Sequence, residues 1–108
     1  MSNFKDDILE AANGEEIIGI VIGDIEREYH SKGKPEYKHI INKLITWDEA
    51  LPILDYEYDT GFGAPDCQAI TAWTANYVLF VDNYDGATSV VAMPRNPIEH
   101  APIMPGGG

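Results

Sequence analysis

The sequence has little cysteine and no long apolar run. Cys67 is the one cysteine among 108 residues, so no internal disulfide can form. Small secreted domains usually carry several cysteines, and a single one therefore predicts a reducing, cytoplasmic compartment. The longest apolar stretches are Ile17–Ile22 and Tyr77–Val81. Both are far shorter than the roughly 20 residues that span a bilayer, so we expect no membrane partner.

Positive charge is also scarce. The chain has 7 Lys and Arg against 18 Asp and Glu, which gives a net charge of −11. Residues 27–43 hold five basic side chains and two acids, a net +3, so the rest of the chain carries −14. Phosphate contacts need clustered Lys and Arg, and this balance therefore argues against direct nucleic-acid binding. An acidic surface suits either solubility alone or a basic protein partner.

Motifs of catalysis and metal binding are missing as well. The sequence contains no nucleophile elbow, Walker loop or HExxH motif. Four acids occupy calcium-loop positions, namely Asp55, Glu57, Asp59 and Asp66, but the central glycine position holds Thr60. We therefore predict no metal site, no cofactor and no catalytic residue. An enzyme is the less favoured class, although the many carboxylates leave acid–base chemistry open.

Capping residues in the sequence predict the starts of two short helices. Asn3 is a good N-cap for a helix over residues 3–12, with two acids in its first turn. Thr46 and Glu49 form a capping-box pattern at the start of a second helix, which we expect to end near Leu54. Pro52 lies inside it and should keep it short or kinked.

The remaining pattern predicts strands. The β-branched run Ile17–Gly23 is typical of a central strand, and Asp55–Asp59 alternates as a strand does. A three-strand meander follows over Gln68–Thr74, Tyr77–Asp82 and Ala87–Met93, with a hairpin at Asp85-Gly86. The predicted fold is α+β: an antiparallel sheet of four to five strands with both helices on one face, in one domain over residues 1–93. The Pro/Gly-rich residues 94–108 should form an extended or disordered tail.

The aromatic and acidic residues after the second helix form the first candidate site. Alternation puts two tyrosines on one strand face and three carboxylates on the other, spaced about 6.6 Å apart. That spacing is close to two phosphate steps of about 3.4 Å, so the acids could imitate a nucleic-acid backbone toward a basic protein. The predicted protein-binding residues are Asp55, Tyr56, Glu57, Tyr58, Asp59 and Phe62. A solvated edge strand protected by charge explains the same pattern equally well.

A second candidate site would hold a nucleotide-type small molecule between the subunits of a homo-oligomer. Aromatic rings stack on any base, and an arginine supplies charge for phosphate. The predicted ligand-binding residues are Trp73, Tyr84, Asp85, Gly86 and Arg95. Packing of Trp73 in the core is the ordinary alternative.

Three segments together carry a resemblance to known proteins: LDYEYDTGFGAPDCQA (residues 54–69), the YDGAT turn (84–88) and PRNP (94–97). As a set they resemble short acidic accessory proteins of tailed phages and prophages, over residues 44–97. The resemblance implies an inhibitor of a bacterial defence complex, anti-CRISPR-like in action, in the host cytoplasm. A sponge that sequesters a nucleotide immune signal is the alternative it implies. The resemblance does not assign a functional role to any residue of these segments.

Overall fold

The computed structural model describes residues 2–24, 37–61, 63, 66–84 and 86–104. Within them the chain forms helices α1 (Phe4–Ala12) and α2 (Trp47–Leu54) and a short 3-10 turn at Lys38–Ile40. The strands are β1 (Ser2–Asn3), β2 (Gly19–Ile22), β3 (Leu44–Ile45), β4 (Glu57–Tyr58), β5 (Ile70–Trp73), β6 (Tyr77–Tyr84) and β7 (Ala87–Pro94). No helix in this part of the chain is both long and apolar enough to cross a membrane.

Five of the strands form one antiparallel sheet in the order β3-β2-β5-β6-β7. The last three run as a meander, and β1 pairs with β4 in a separate two-stranded sheet. The predicted α+β fold is therefore confirmed, including the number of strands in the main sheet. The pairing of β1 with β4 was not predicted, because a two-residue strand leaves no periodic pattern in a sequence.

Both helices begin where the caps predict. The side chain of Asn3 accepts a hydrogen bond from the Asp6 amide at 3.0 Å. In α2 the Glu49 amide donates to Thr46 Oγ1, and the Thr46 amide donates back to Glu49 Oε1, each at 3.1 Å. Pro52 lies inside α2 but leaves the eight-residue helix continuous. These bonds satisfy amides that the first turn of a helix otherwise leaves without a partner.

The core lies between the two helices and one face of the main sheet. Phe4 and Ile8 of α1 are fully buried, as is Leu54 of α2. The sheet residues that meet them are Ile20, Ile22, Ile70, Ala72 and Leu79. Each large side chain buried here contributes about 1.5–3 kcal/mol, so this one-sided contact supplies most of the stability.

The hairpin between β6 and β7 lies where the Asp-Gly pair predicts it. Tyr84 pairs with Ala87, which leaves residues 85–86 as the connection, and Gly86 has the positive φ of 83° that glycine adopts without strain. Strand β7 ends at Pro94, one residue later than the predicted domain boundary. Residues 95–104 are exposed and have no regular secondary structure.

Replacing Thr46 with alanine tests the second helix. Thr46→Ala removes the oxygen that accepts from the Glu49 amide, and we expect the free energy of unfolding to fall by about 1 kcal/mol. Urea denaturation followed by circular dichroism measures this change. Thr46→Ser keeps the acceptor oxygen and should retain most of the stability. Equal stability of the alanine and serine variants would show that the cap does not hold α2.

Glu15 connects the segment before β2 to the β5–β6 turn. Its carboxylate accepts from the Asn76 amide at 3.1 Å and from Asn76 Nδ2 at 2.9 Å. Hydrogen bonds from Thr74 first, and then from Asn76, lower the pKa of Glu15 below its ordinary value of 4.5. The folded state therefore binds this proton more weakly than the unfolded state does. The resulting stability is complete above pH 4.5 and is lost as the pH falls toward the lowered pKa.

Replacing Glu15 with glutamine should therefore flatten the acid dependence of stability. We expect Glu15→Gln to lower the melting temperature at neutral pH and to bring the two proteins closer together near pH 3, where the wild-type carboxyl is also protonated. Melting curves across the acid range measure this. Glu16→Gln removes the neighbouring exposed carboxyl and serves as the control. Parallel pH profiles for wild type and Glu15→Gln would contradict the role given to Glu15.

Candidate functional site

Tyr58, predicted to be a surface anchor, belongs to the core. It is 0% exposed, and its ring centroid lies 5.0 Å from that of Phe4. The Tyr58 hydroxyl donates to Asp7 Oδ2 at 2.7 Å. Burial first, and then this contact with Asp7, raise the pKa of Tyr58 well above its usual range. A side chain held in this way cannot meet a partner protein, so Tyr58 leaves the predicted binding surface.

Tyr56 shares the face of Tyr58, as alternation predicts, but that face points inward. Its ring centroid lies 5.8 Å from that of Phe4, and its hydroxyl donates to the side chain of the buried Gln68. Burial is the main reason that the pKa of Tyr56 is raised. The cause of this packing is the pairing of β4 with β1, which holds both tyrosines over the first residue of α1. Tyr56 is therefore half-buried and mainly structural.

The three predicted carboxylates are exposed but do not form an even row. Asp55 caps the end of α2, and its Oδ1 accepts from Asn3 Nδ2 at 3.0 Å. That contact first, and then the charge of Lys5, lower the pKa of Asp55. Asp59 Oδ1 accepts from the Gly61 amide at 2.8 Å. Only Glu57 lies in a strand without such a local contact, which weakens the comparison with a phosphate backbone.

Phe62, predicted to bind protein, lies outside the described residues, as does Asp85 of the second hypothesis. In the described part of the chain, no three His, Cys, Asp or Glu side chains are grouped closely enough to hold a metal ion.

The structure divides the predicted small-molecule site into two parts. Trp73 and Arg95 line the same groove at one end of the main sheet. Tyr84 and Gly86 lie at the β6–β7 turn, which is the other end. Trp73 pairs with Val78 of β6. Tyr84 lies six residues further along the same strand, so about 20 Å separates Tyr84 from Val78. A single chain therefore cannot close these residues around one ligand.

The groove at the Trp73 end is apolar and about 320 Å³ in volume. Its lining residues are Ile18, Gly19, Val21, Leu44, Trp73 and Arg95. Arg95 is held across the β5–β6 turn, because its amide donates to the Asn76 carbonyl at 2.9 Å and its Nη1 donates to the Thr74 carbonyl at 2.6 Å. Ile18 and Leu44 are 59% and 70% exposed, which is unusual for such large apolar side chains.

This groove is one end of a wider apolar surface, the side of the main sheet that faces away from both helices. Residues that pair directly across antiparallel strands point to the same side. The outer face, as we call it, comprises Val21, Leu44, Thr71, Trp73, Val78, Phe80, Asp82, Tyr84, Ala87, Ser89, Val91, Met93 and Arg95. None of these residues belongs to the core cluster or packs against it. Most are apolar and partly exposed, and no described element covers them.

Strand β7 offers a different feature, the hydrogen-bonding groups at its outer edge. The Thr88 amide donates to the Thr60 carbonyl at 3.1 Å, on the side away from β6. Backbone groups alternate between the two sides of a strand, so the amides and carbonyls of Val90 and Ala92 point the same way as the Thr88 amide. No described group bonds to them. Within the described residues, the edge is therefore open from Val90 to Pro94, which itself has no amide hydrogen.

Most of the features that keep an edge strand from pairing with another chain are absent from the residues of β7 themselves. Lysines, inward-pointing charges, bulges or a proline in mid-strand usually prevent an edge from pairing with another chain. The eight residues Ala87–Pro94 contain no charged side chain and keep continuous register with β6. Proline occurs only at the last position. Such an edge is a ready template for an additional strand.

A groove beside this edge carries negative charge. It lies between α1 and β7, and its volume is about 420 Å³. The lining residues are Ser2, Asp7, Glu10, Ala11, Thr60, Thr88, Ser89 and Val90. Both of its ionisable residues, Asp7 and Glu10, are acids. An extended segment in this groove would meet the edge of β7 on one side and two carboxylates on the other.

The open edge of β7 was not predicted, although the sequence contains a signal for it. Ala87–Met93 was predicted as the last strand of a meander, and a last strand often lies at the edge of its sheet. Its lack of charge is visible in the sequence. The helix beside it is not, because the position of α1 against β7 depends on tertiary packing.

Comparison with protein-family models, with curated proteins and with solved structures finds no match to this chain. Its function is therefore argued from these surfaces.

Proposed function

We propose that the chain is a non-enzymatic binding protein that takes an extended, basic segment of a partner protein as an additional strand beside β7. The observation that carries the proposal is the open edge at Val90 and Ala92 next to an acid-lined groove. Main-chain hydrogen bonds give such a contact its affinity, and the neighbouring side chains give it specificity.

The register of the added strand follows from the edge itself. Val90 and Ala92 each present one amide and one carbonyl, so an antiparallel segment can form four hydrogen bonds with them. Pairing stops at Thr88, because its amide already donates to Thr60, and at Pro94, which has no amide to donate. The partner segment therefore pairs over about five residues, which suits a short linear motif rather than a whole domain.

The negative charge of the groove determines which side chains the partner segment should carry. Asp7 already accepts from Tyr58, so Glu10, which is exposed, is the main carboxylate available to a partner. Together with the net charge of −11, it favours Lys or Arg in the segment and repels acidic sequences. The resemblance to phage accessory proteins implies a biological role for such binding. In that role the chain is a cytoplasmic inhibitor that binds the basic segment of a bacterial defence complex.

A peptide of ten residues that alternates lysine with threonine tests the binding. We expect it to bind and to slow hydrogen exchange at the amides of Val90 and Ala92, as measured by NMR on the labelled protein. Binding should weaken with added salt, because part of it is electrostatic. A glutamate–threonine peptide of the same length is the control and should not bind. Unchanged exchange at both amides would contradict strand addition.

Replacing Ala92 with proline tests the edge without removing a bond of the β6–β7 ladder. The Ala92 amide points away from β6, so proline at this position removes only an outward donor. We expect Ala92→Pro to weaken binding of the lysine–threonine peptide about tenfold or more, since one hydrogen bond is lost and its peptide acceptor is left without a partner. Valine is similar in side-chain volume to proline but keeps the backbone amide, so Ala92→Val should bind the peptide as the wild type does.

Glu10→Gln tests the charge. It should weaken binding of the same peptide by a few-fold and make the binding less sensitive to salt. Glu16→Gln removes the same charge from an exposed position that does not line the groove, and it should have little effect. Equal effects of the two variants would show that only net charge matters and that the groove does not select the segment.

The small-molecule hypothesis keeps one supporting observation: Trp73 and Arg95 do line a single groove. A nucleotide held there would stack on an aromatic ring and place a phosphate near the guanidinium. Because Tyr84 and Gly86 lie at the opposite end of the sheet, this site would need a second copy to supply them. Calorimetry with mononucleotides and cyclic dinucleotides tests it, and the absence of heat at every ligand would rule out this alternative.

A further inference from the structure

We propose that the outer face binds the outer face of a second copy, so that two sheets stack across a two-fold axis and form a symmetric dimer. This surface shares only Ser89 with the groove beside the β7 edge, and the inference does not depend on the proposed function. It starts from the distribution of charge on the face, which differs from that of the rest of the chain.

The outer face is nearly free of acids in a strongly acidic protein. Of its thirteen residues, Asp82 is the one acid, and Arg95 is the one base. A chain with a net charge of −11 is repelled by a second copy over most of its surface. A self-contact is therefore favoured only through a face where carboxylates do not meet carboxylates.

The two charges lie at opposite ends of the face. Asp82 pairs with Ser89 near the β6–β7 turn, whereas Arg95 follows the last residue of β7. The distance along the strands from residue 89 to residue 95 is about 20 Å. A two-fold axis that runs between the sheets and across their strands reverses the direction of each strand. It therefore brings the Arg95 end of one copy over the Asp82 end of the other, twice in each dimer.

Between these ends the face is apolar and contains two aromatic anchors. Trp73 and Phe80 lie on the neighbouring strands β5 and β6, flanked by Val78, Val91 and Met93. Sheets that stack face to face lie about 10 Å apart and interdigitate side chains of this kind. Large aromatic side chains near the centre of a patch provide much of the binding energy of protein interfaces.

The size of the face predicts a weak dimer. Four strands about 4.8 Å apart, with three outward positions about 6.8 Å apart on each, give a footprint roughly 20 Å on a side. A standard interface buries about 800 Å² on each partner, and this footprint is about half of that in projection. Self-association should therefore depend on concentration and be detectable only at micromolar concentrations or above.

Sedimentation of the full chain over a wide concentration range tests the inference. We expect a reversible monomer–dimer equilibrium for the wild type. Asp82→Arg and Arg95→Asp each place like charges opposite one another and should weaken the dimer about tenfold. The combined variant restores opposite charges and should recover most of the affinity. Recovery of the dimer affinity in the combined variant is expected only if residue 82 of one copy lies opposite residue 95 of the other.

Glu57→Arg is the matched control for charge. It changes the net charge by the same amount as Asp82→Arg, at an exposed position outside the outer face. Lower net charge alone favours association, so Glu57→Arg should dimerise as well as the wild type or better. The inference is overturned if the wild type is monomeric at every concentration, if Asp82→Arg and Glu57→Arg behave alike, or if the combined variant does not recover.

A fluorescence measurement avoids dependence on how the charge variants fold. Trp47→Phe leaves Trp73 as the only tryptophan. Its quenching by acrylamide should fall as the protein concentration rises through the range in which sedimentation detects the dimer. Quenching that does not change with concentration would show that Trp73 is not covered by a second copy, and this too would overturn the inference.

Discussion

Two helices cover one face of the main sheet, and their contact with Ile20, Ile22 and Leu79 decides where every other strand residue points. Side chains alternate along a strand, so burial of these residues turns their neighbours to the outer face. The same alternation orients the backbone groups and leaves the amides of Val90 and Ala92 at the outer edge. The open edge of β7 and the apolar outer face thus both result from a core that lies on one side of the main sheet only.

Much of this fold could be predicted from local chemistry. The cap at Asn3 and the capping box at Thr46 mark the helix starts because they depend on residues only three positions apart. The hairpin at residues 85–86 could be predicted for the same reason, since Gly86 takes the left-handed conformation that the turn requires. Alternation along β5 and β7 was sufficient to predict the meander, although the strand ends differ by one or two residues.

The binding surfaces were harder to predict because they depend on which element lies beside which. Alternation correctly put Tyr56 and Tyr58 on one face, but only the pairing of β4 with β1 shows that this face packs on Phe4. Trp73 and Arg95 were grouped correctly and meet in one groove. Tyr84 lies the length of β6 away from that groove, so the predicted group can meet only between two chains, and that site stays a prediction.

Charge distinguishes the two surfaces. The groove beside β7 contains only acids, so it attracts a basic segment and repels a second copy of this acidic chain. The outer face has one acid and one base, so repulsion between copies is weakest there. A dimer through the outer face leaves both β7 edges open, and one assembly could then bind two partner segments.

The central claim is that a partner strand pairs with the edge of β7, and nuclear Overhauser contacts between backbone protons test it most directly. Val91 bonds to β6 through its backbone, so its α proton points to the open side of the strand. In the complex with the lysine–threonine peptide, we predict a strong contact between this α proton and an α proton of the peptide. Peptide contacts confined to the side chains of the outer face, with none at Val91 Hα, would contradict the account.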